Sequence, residues 1–202
     1  MKLLILDNYD SFTFNLYHEV GELLTAQTKT FDLVVKRNDA ITIKEIKKQN
    51  FDRIIISPGP GDPSNQNYFG VCADVITDIG RITPVLGVCL GMQGIGYYFG
   101  GRVIKAPLPR HGKTSLLSHD GLGLFQNLPQ NIEVMRYHSL MVEKSSLPEV
   151  LAVSATAIDE GQEIIMGLRH KTFPIEGVQF HPESFATEGG KKMLENFLFS
   201  NI

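Results

Sequence analysis

The chain has 202 residues, enough for one domain with a substantial core. Hydrophobic residues make up 43% and charged residues 20%, the formal net charge is −3, and no basic run or arginine stripe suggests nucleic acid as a partner. No apolar run approaches the roughly 18 residues a membrane-spanning helix needs, and Met1-Lys2-Leu3-Leu4-Ile5-Leu6-Asp7 is too short to be the core of a signal peptide.

Residues 2–6 read as a buried first strand, followed by the polar loop Asp7-Asn8-Tyr9-Asp10. Ser11 can then cap a helix whose apolar residues Phe12, Leu16, Val20 and Leu23 recur at helical spacing. Residues 33–35 suggest a second strand and residues 41–48 a short helix with Ile43 and Ile46 on one face. Residues 53–56 have the composition of a central strand, which runs into Ser57-Pro58-Gly59-Pro60-Gly61-Asp62-Pro63, a stretch unable to continue strand or helix. A helix is expected over 71–79, a buried strand over 84–88, and a helix over 89–99 stopped by Gly100-Gly101.

Beyond Gly101 the texture changes. Short β-favouring runs at 102–105, 132–137, 151–157, 164–169 and 175–179 lie between turn residues, and an amphipathic helix over 189–199 closes the chain. Strands alternating with helices, then runs of strands, predict a mainly parallel, mixed open sheet with helices on both faces and added antiparallel strands. With no repeat, linker or low-complexity segment, residues 1–202 are expected to form a single domain.

Three strand-end segments carry chemistry. Gly87-Val88-Cys89-Leu90-Gly91 has the pattern of a nucleophile elbow, in which small flanking residues let strand and helix meet closely. At the helix N-terminus the Cys89 thiolate would be favoured by unpaired amides, although a simple buried cysteine fits the same five residues. Cys72, without flanking glycines, reads as structural; with only two cysteines there is no disulfide framework, and a reducing cytoplasm is the expected compartment. In Gly177-Val178-Gln179-Phe180-His181-Pro182-Glu183, His181 can take a thiol proton while Glu183 holds the imidazole, though a polar surface turn would look alike. Pro58-Gly59-Pro60-Gly61 makes a stiff loop whose amides can face a ligand, so the N–H groups of Gly59 and Leu90 are candidate oxyanion donors.

These segments, together with Asp7-Asn8-Tyr9-Asp10-Ser11-Phe12 and Arg136-Tyr137-His138-Ser139-Leu140, occur in an order that resembles the class I (triad-type) glutamine amidotransferases over nearly the whole chain. Within them the resemblance is to the small subunits of anthranilate and aminodeoxychorismate synthases. It implies a flavodoxin-like α/β fold and a Cys89–His181–Glu183 triad that hydrolyses L-glutamine through a thioester. It implies an oxyanion hole at Gly59 and Leu90, glutamine held by Gly59, Pro60, Gly61, Gln93, Ser139 and Leu140, and ammonia passed to a large chorismate-binding subunit. No cofactor is implied, and neither metal-ligand spacing nor a phosphate-binding loop is present in the sequence.

His111-Gly112-Lys113 resembles a family loop facing the synthase subunit, although His beside Gly also suits a turn. His138 is expected to make structural hydrogen bonds, and His18, His119 and His170 to be surface or packing residues. One departure is Met92, where the family commonly has His. Competing readings are an amidotransferase subunit of another pathway, a γ-glutamyl hydrolase of related fold, and a binding subunit without turnover.

Overall fold

The computed structural model describes residues 1–200. In chain order the first half holds β1 (Lys2–Asp7), α1 (Thr13–Gln27), β2 (Asp32–Arg37), α2 (Ile43–Gln49), β3 (Arg53–Ile56), α3 (Gln66–Phe69), α4 (Cys72–Thr77), β4 (Val85–Val88) and α5 (Leu90–Tyr98). The second half holds β5 (Val103–His119), β6 (Ile132–Val142), β7 (Leu151–Asp159), β8 (Gln162–His170), β9 (Ile175–Val178) and α6 (Gly190–Phe199). The strands form one sheet in the order β2-β1-β3-β4-β9-β8-β7-β5-β6. Pairing is parallel from β2 through β9 and antiparallel from there to β6.

The period of two in a strand explains why the parallel half is apolar throughout. Leu3 and Ile5 of β1 pack with Leu16 and Val20 of α1 and Phe197 and Leu198 of α6. Leu4 and Leu6, pointing the other way, pack with Ile46 of α2, Val75 and Ile76 of α4, and Met92 and Ile95 of α5. Helices therefore cover both faces, as the alternating pattern predicts.

Helix α2 begins with a reciprocal cap. The Thr42 hydroxyl accepts from the Glu45 N–H at 3.3 Å, and the Glu45 carboxylate accepts from the Thr42 N–H at 2.8 Å. At α1 the expectation of a Ser11 cap is wrong. The N-cap is Phe12, its N–H donates to Asp10 Oδ1 at 2.8 Å, and Asp7 Oδ1 accepts from Thr13 Oγ1 at 2.8 Å. Two aspartates that reach the first turn displace the serine from that role. Phe12 is consequently not a core residue of the helix: it turns toward the functional cleft described below.

The sequence also understated β5. Its 17 residues run from Val103 to His119 and pair with β6, with register breaks between Lys105 and Arg110 and between His111 and Lys113. Pro107, Pro109 and Gly112 are local turn signals, but here they occupy bulged stretches of one long strand. His111-Gly112-Lys113 is thus a bulge, not a turn. The helix expected from residue 71 is shorter, ending at Thr77 before a single 3₁₀ turn, and α3 is an addition capped by the Asn65 side chain.

Candidate active site

The carboxyl ends of β3, β4 and β9 lie side by side, and each delivers one of the motifs to the same edge of the sheet. At the end of β4, Cys89 takes φ 52° and ψ −101°, a conformation that costs a non-glycine residue roughly 1–3 kcal/mol. The turn holds because α5 is pressed onto the sheet: a Cβ on Gly91 would stand 2.6 Å from the Ile56 carbonyl oxygen, and one on Gly87 would stand 2.5 Å from the Gly91 backbone. Neither contact leaves room for a side chain, so both glycines are required where the elbow pattern puts them. The Cys89 N–H donates to the Val178 carbonyl at 2.8 Å, tying the elbow to the end of β9.

His181 and Glu183 leave the end of β9 in one turn. Imidazole Nδ1 and Glu183 Oε1 are 2.7 Å apart, and both side chains are buried. The ring is fixed on its other sides as well. Phe12 and Tyr137 stand edge-on to it at 5.3 Å each and stack on one another at 5.2 Å. The His181 N–H donates to the Met135 carbonyl at 3.0 Å, and the Thr187 hydroxyl donates to the His181 carbonyl at 2.6 Å. The imidazole Nε2 has no hydrogen-bond partner among the described residues. Burial opposes a charged ring, but the nearby Cys89 sulfur and the Glu183 carboxylate bonded to Nδ1 outweigh it and raise His181 to about 10. The same neighbours thus favour a protonated ring over a neutral one at His181.

Gly59, Pro60, Gly61, Cys89, Gln93, Ser139 and Leu140 line one cleft of about 190 Å³, together with His111, Tyr137 and His138. All the residues expected to hold glutamine thus line one cleft with Cys89. The proline–glycine loop is backed by Asn8, whose amide donates to the Ser57 carbonyl at 2.8 Å. A Cβ on Gly59 would meet Asn8 at 2.5 Å, so the loop closes on the adjoining strand end. Leu90 is buried at the first position of α5, where helix amides lack intrahelical acceptors. The Leu140 carbonyl accepts from Gln93 Nε2 at 3.0 Å and from His138 Nδ1 at 2.9 Å. His138 is in turn held by Arg136, whose Nε donates to its Nε2 at 3.1 Å, and burial first, then the Arg136 charge, lower it to about 4. It is a neutral structural histidine, as the sequence led us to expect.

Cys72 is buried in α4, donates to Asn8 Oδ1 at 3.4 Å, and is pushed up by burial, so it is structural. Among the described residues both cysteines are free thiols, no group of acids, cysteines and histidines could hold a metal ion, and no helix is long and apolar enough to cross a membrane. His119 and His170 are buried packing residues and His18 is exposed. The residues that sequence reasoning missed are Gln179, whose amide lies 3.6 Å from the Cys89 sulfur, and the Phe12–Tyr137 pair around His181. For Gln179 the available signal was a lone amide closing an apolar strand.

Residues 4–201 match the family described as glutamine amidotransferase class-I. The chain is 56% identical over 201 residues to "Anthranilate synthase component 2" of Leptospira biflexa, covering 99% of this chain and 100% of that protein. It is 48% identical over 197 residues to the protein of the same name from Cyanophora paradoxa, covering 97% of each. A solved Thermoplasma acidophilum structure, described as that of a GMP synthase subunit, superposes with a TM-score of 0.82 at 28% identity, covering 98% of this chain and 92% of that one. The protein belongs to the class-I glutamine amidotransferases.

Proposed function

We propose that this chain, as a single amidotransferase domain over residues 1–202, is the glutaminase subunit of a chorismate-using synthase. In this reading it hydrolyses L-glutamine and hands the ammonia to a large chorismate-binding partner. The observation that carries it is the buried His181, held by Glu183 at 2.7 Å and raised in proton affinity by Cys89. The relatives named anthranilate synthase component 2 favour anthranilate as the product, with aminodeoxychorismate as the second candidate. A reducing cytoplasm suits the free thiol that the mechanism needs.

The Cys89 thiolate attacks the side-chain carbonyl carbon of glutamine, and the oxygen's developing charge is met by the Gly59 and Leu90 N–H groups. As the C–N bond breaks, His181 gives its proton to the nitrogen, which leaves as ammonia. Water then attacks the glutamyl thioester while neutral His181 takes a proton from it; glutamate departs and the thiolate–imidazolium pair is restored. Gln93 Oε1 accepts from no protein group among the described residues, which suits it to the substrate's ammonium. Of the residues around the opening, His111-Gly112-Lys113 on the β5 bulge is the segment we assign to contact with the large subunit.

The test is Cys89→Ser in a complex with the large subunit. Glutamine-dependent product formation should fall at least about a thousandfold, with synthesis from added ammonia retained. Loss of both activities in a properly assembled complex would count against the reading, and so would hydrolysis of γ-glutamyl peptides by the free chain.

A further inference from the structure

Gln179 is fully buried at the end of β9, and the triad mechanism gives it no task. Its Nε2 lies 3.6 Å from Cys89 Sγ, and its Oε1 lies 3.2 Å from Gln93 Nε2. Which end of this amide faces the sulfur follows from its neighbours. The Leu140 carbonyl can only accept, so the Gln93 atom 3.0 Å from it is the NH₂. That same NH₂ faces Gln179, so the Gln179 atom opposite it is the carbonyl oxygen. The Gln179 NH₂ must then point at the sulfur. A carbonyl therefore fixes, through two amides, a donor aimed at the nucleophile.

We propose that Gln179 is a catalytic residue: its side-chain NH₂ donates to the Cys89 sulfur and selects the thiolate over the thiol. A hydrogen bond to the charged form of a buried group favours that form, and a sulfur anion gains more from a donor than a neutral thiol does. The backbones that carry the two side chains are held in register, because the Cys89 N–H donates to the Val178 carbonyl at 2.8 Å immediately before Gln179. As the thioester forms, the sulfur loses its charge and the donor loses its advantage. When hydrolysis returns the thiolate, the donor stabilises the leaving sulfur. No new bond to carbon and no external proton is involved. Gln93 acquires a second task in this scheme, that of setting the direction of Gln179.

The inference rests on Cys89 being the nucleophile, and it is tested without turnover. The rate of Cys89 alkylation by iodoacetamide, which reports thiolate, is measured against pH for wild type, Gln179→Leu and Gln179→Glu. Peptide mapping separates Cys89 from Cys72. Gln179→Leu removes the donor and should slow alkylation at pH 7 roughly tenfold, moving the midpoint of the profile up by about one pH unit. Gln179→Glu keeps the shape but turns an oxygen toward the sulfur, and its loss should be larger. Ammonia-dependent synthesis with the large subunit verifies that each variant is folded and docked. A merely structural glutamine would change stability and leave the alkylation midpoint in place. Wild-type midpoints in both folded variants would overturn the assignment. Shifted midpoints in a chain that never turns over glutamine would support the role of Gln179 and sink the glutaminase reading instead.

Discussion

Asp159→Ala removes the counter-charge of a guanidinium that has no access to water. Arg136 is fully buried, and its Nη2 donates to Asp159 Oδ2 at 3.0 Å. Its other partners are neutral: Ser115 Oγ at 2.9 Å from Nη1, and His138 Nε2 at 3.1 Å from Nε. Without Asp159 the charge remains desolvated with nothing to compensate it, a change that costs about 3–5 kcal/mol. Arg110 also bonds to Asp159, but its side chain is 25% exposed and can turn to solvent, so its loss adds little. For a domain of this size each kcal/mol moves the melting temperature roughly 2–4 °C, so a fall of roughly 6–20 °C is expected. Function should suffer in a particular way. Arg136 orients His138, and His138 shares the Leu140 carbonyl with Gln93, so the KM for glutamine should rise more than kcat falls. Thermal denaturation and glutaminase kinetics in the complex measure the two effects. The double variant Arg136→Met/Asp159→Leu removes both charges and should recover at least half the lost stability. Asp159→Ala melting within about 2 °C of wild type would refute the reasoning, because a fully buried guanidinium cannot lose its carboxylate at so small a cost.

Two further predictions concern the same edge of the sheet. His138 is held at about 4 in the folded chain against an ordinary 6.5, so between these values the unfolded chain binds more protons than the folded one. Its contribution is thus present above pH 6.5 and lost as pH falls through about 4. Relative to His138→Gln, wild type should lose up to about 3 kcal/mol over that window in urea melts, and parallel profiles would contradict the assignment. Gly91→Ala drives a Cβ to 2.6 Å from the Ile56 carbonyl oxygen, a backbone atom that cannot turn aside, so α5 must lift from β3. We expect a loss of about 1–3 kcal/mol and roughly a tenfold or greater fall in glutamine turnover, since the elbow moves with the helix. Near-normal turnover in the complex would show that the close approach is not what aligns Cys89.

What the sequence determined by itself is the set of features written in local sterics. The glycines around Cys89 announce a close strand–helix turn, because no other residue leaves room there, and the structure spaces them against Ile56 and Gly91 as expected. The alternation of apolar strands and helices likewise specifies the parallel half, since each strand must bury both faces. His181 and Glu183 are legible as a pair because one rigid turn carries both.

Tertiary structure alone decided what depends on strand order. Gln179 meets Cys89 across 90 positions of sequence because β9 inserts beside β4, and nothing local to either residue says so. Phe12 reads as one position of a helical stripe, yet Asp10 and Asp7 start the helix one residue late and leave its ring against His181 and Tyr137. The prolines and glycine of β5 look like chain breaks, but β6 pairs on either side of them and the breaks become bulges. Arg136 and Asp159 find each other only when β5, β6 and β7 assemble, which is why a buried charge network could not be read from composition. Local geometry follows from excluded volume between near neighbours, whereas these contacts follow from which strands become neighbours, a choice made by the whole core.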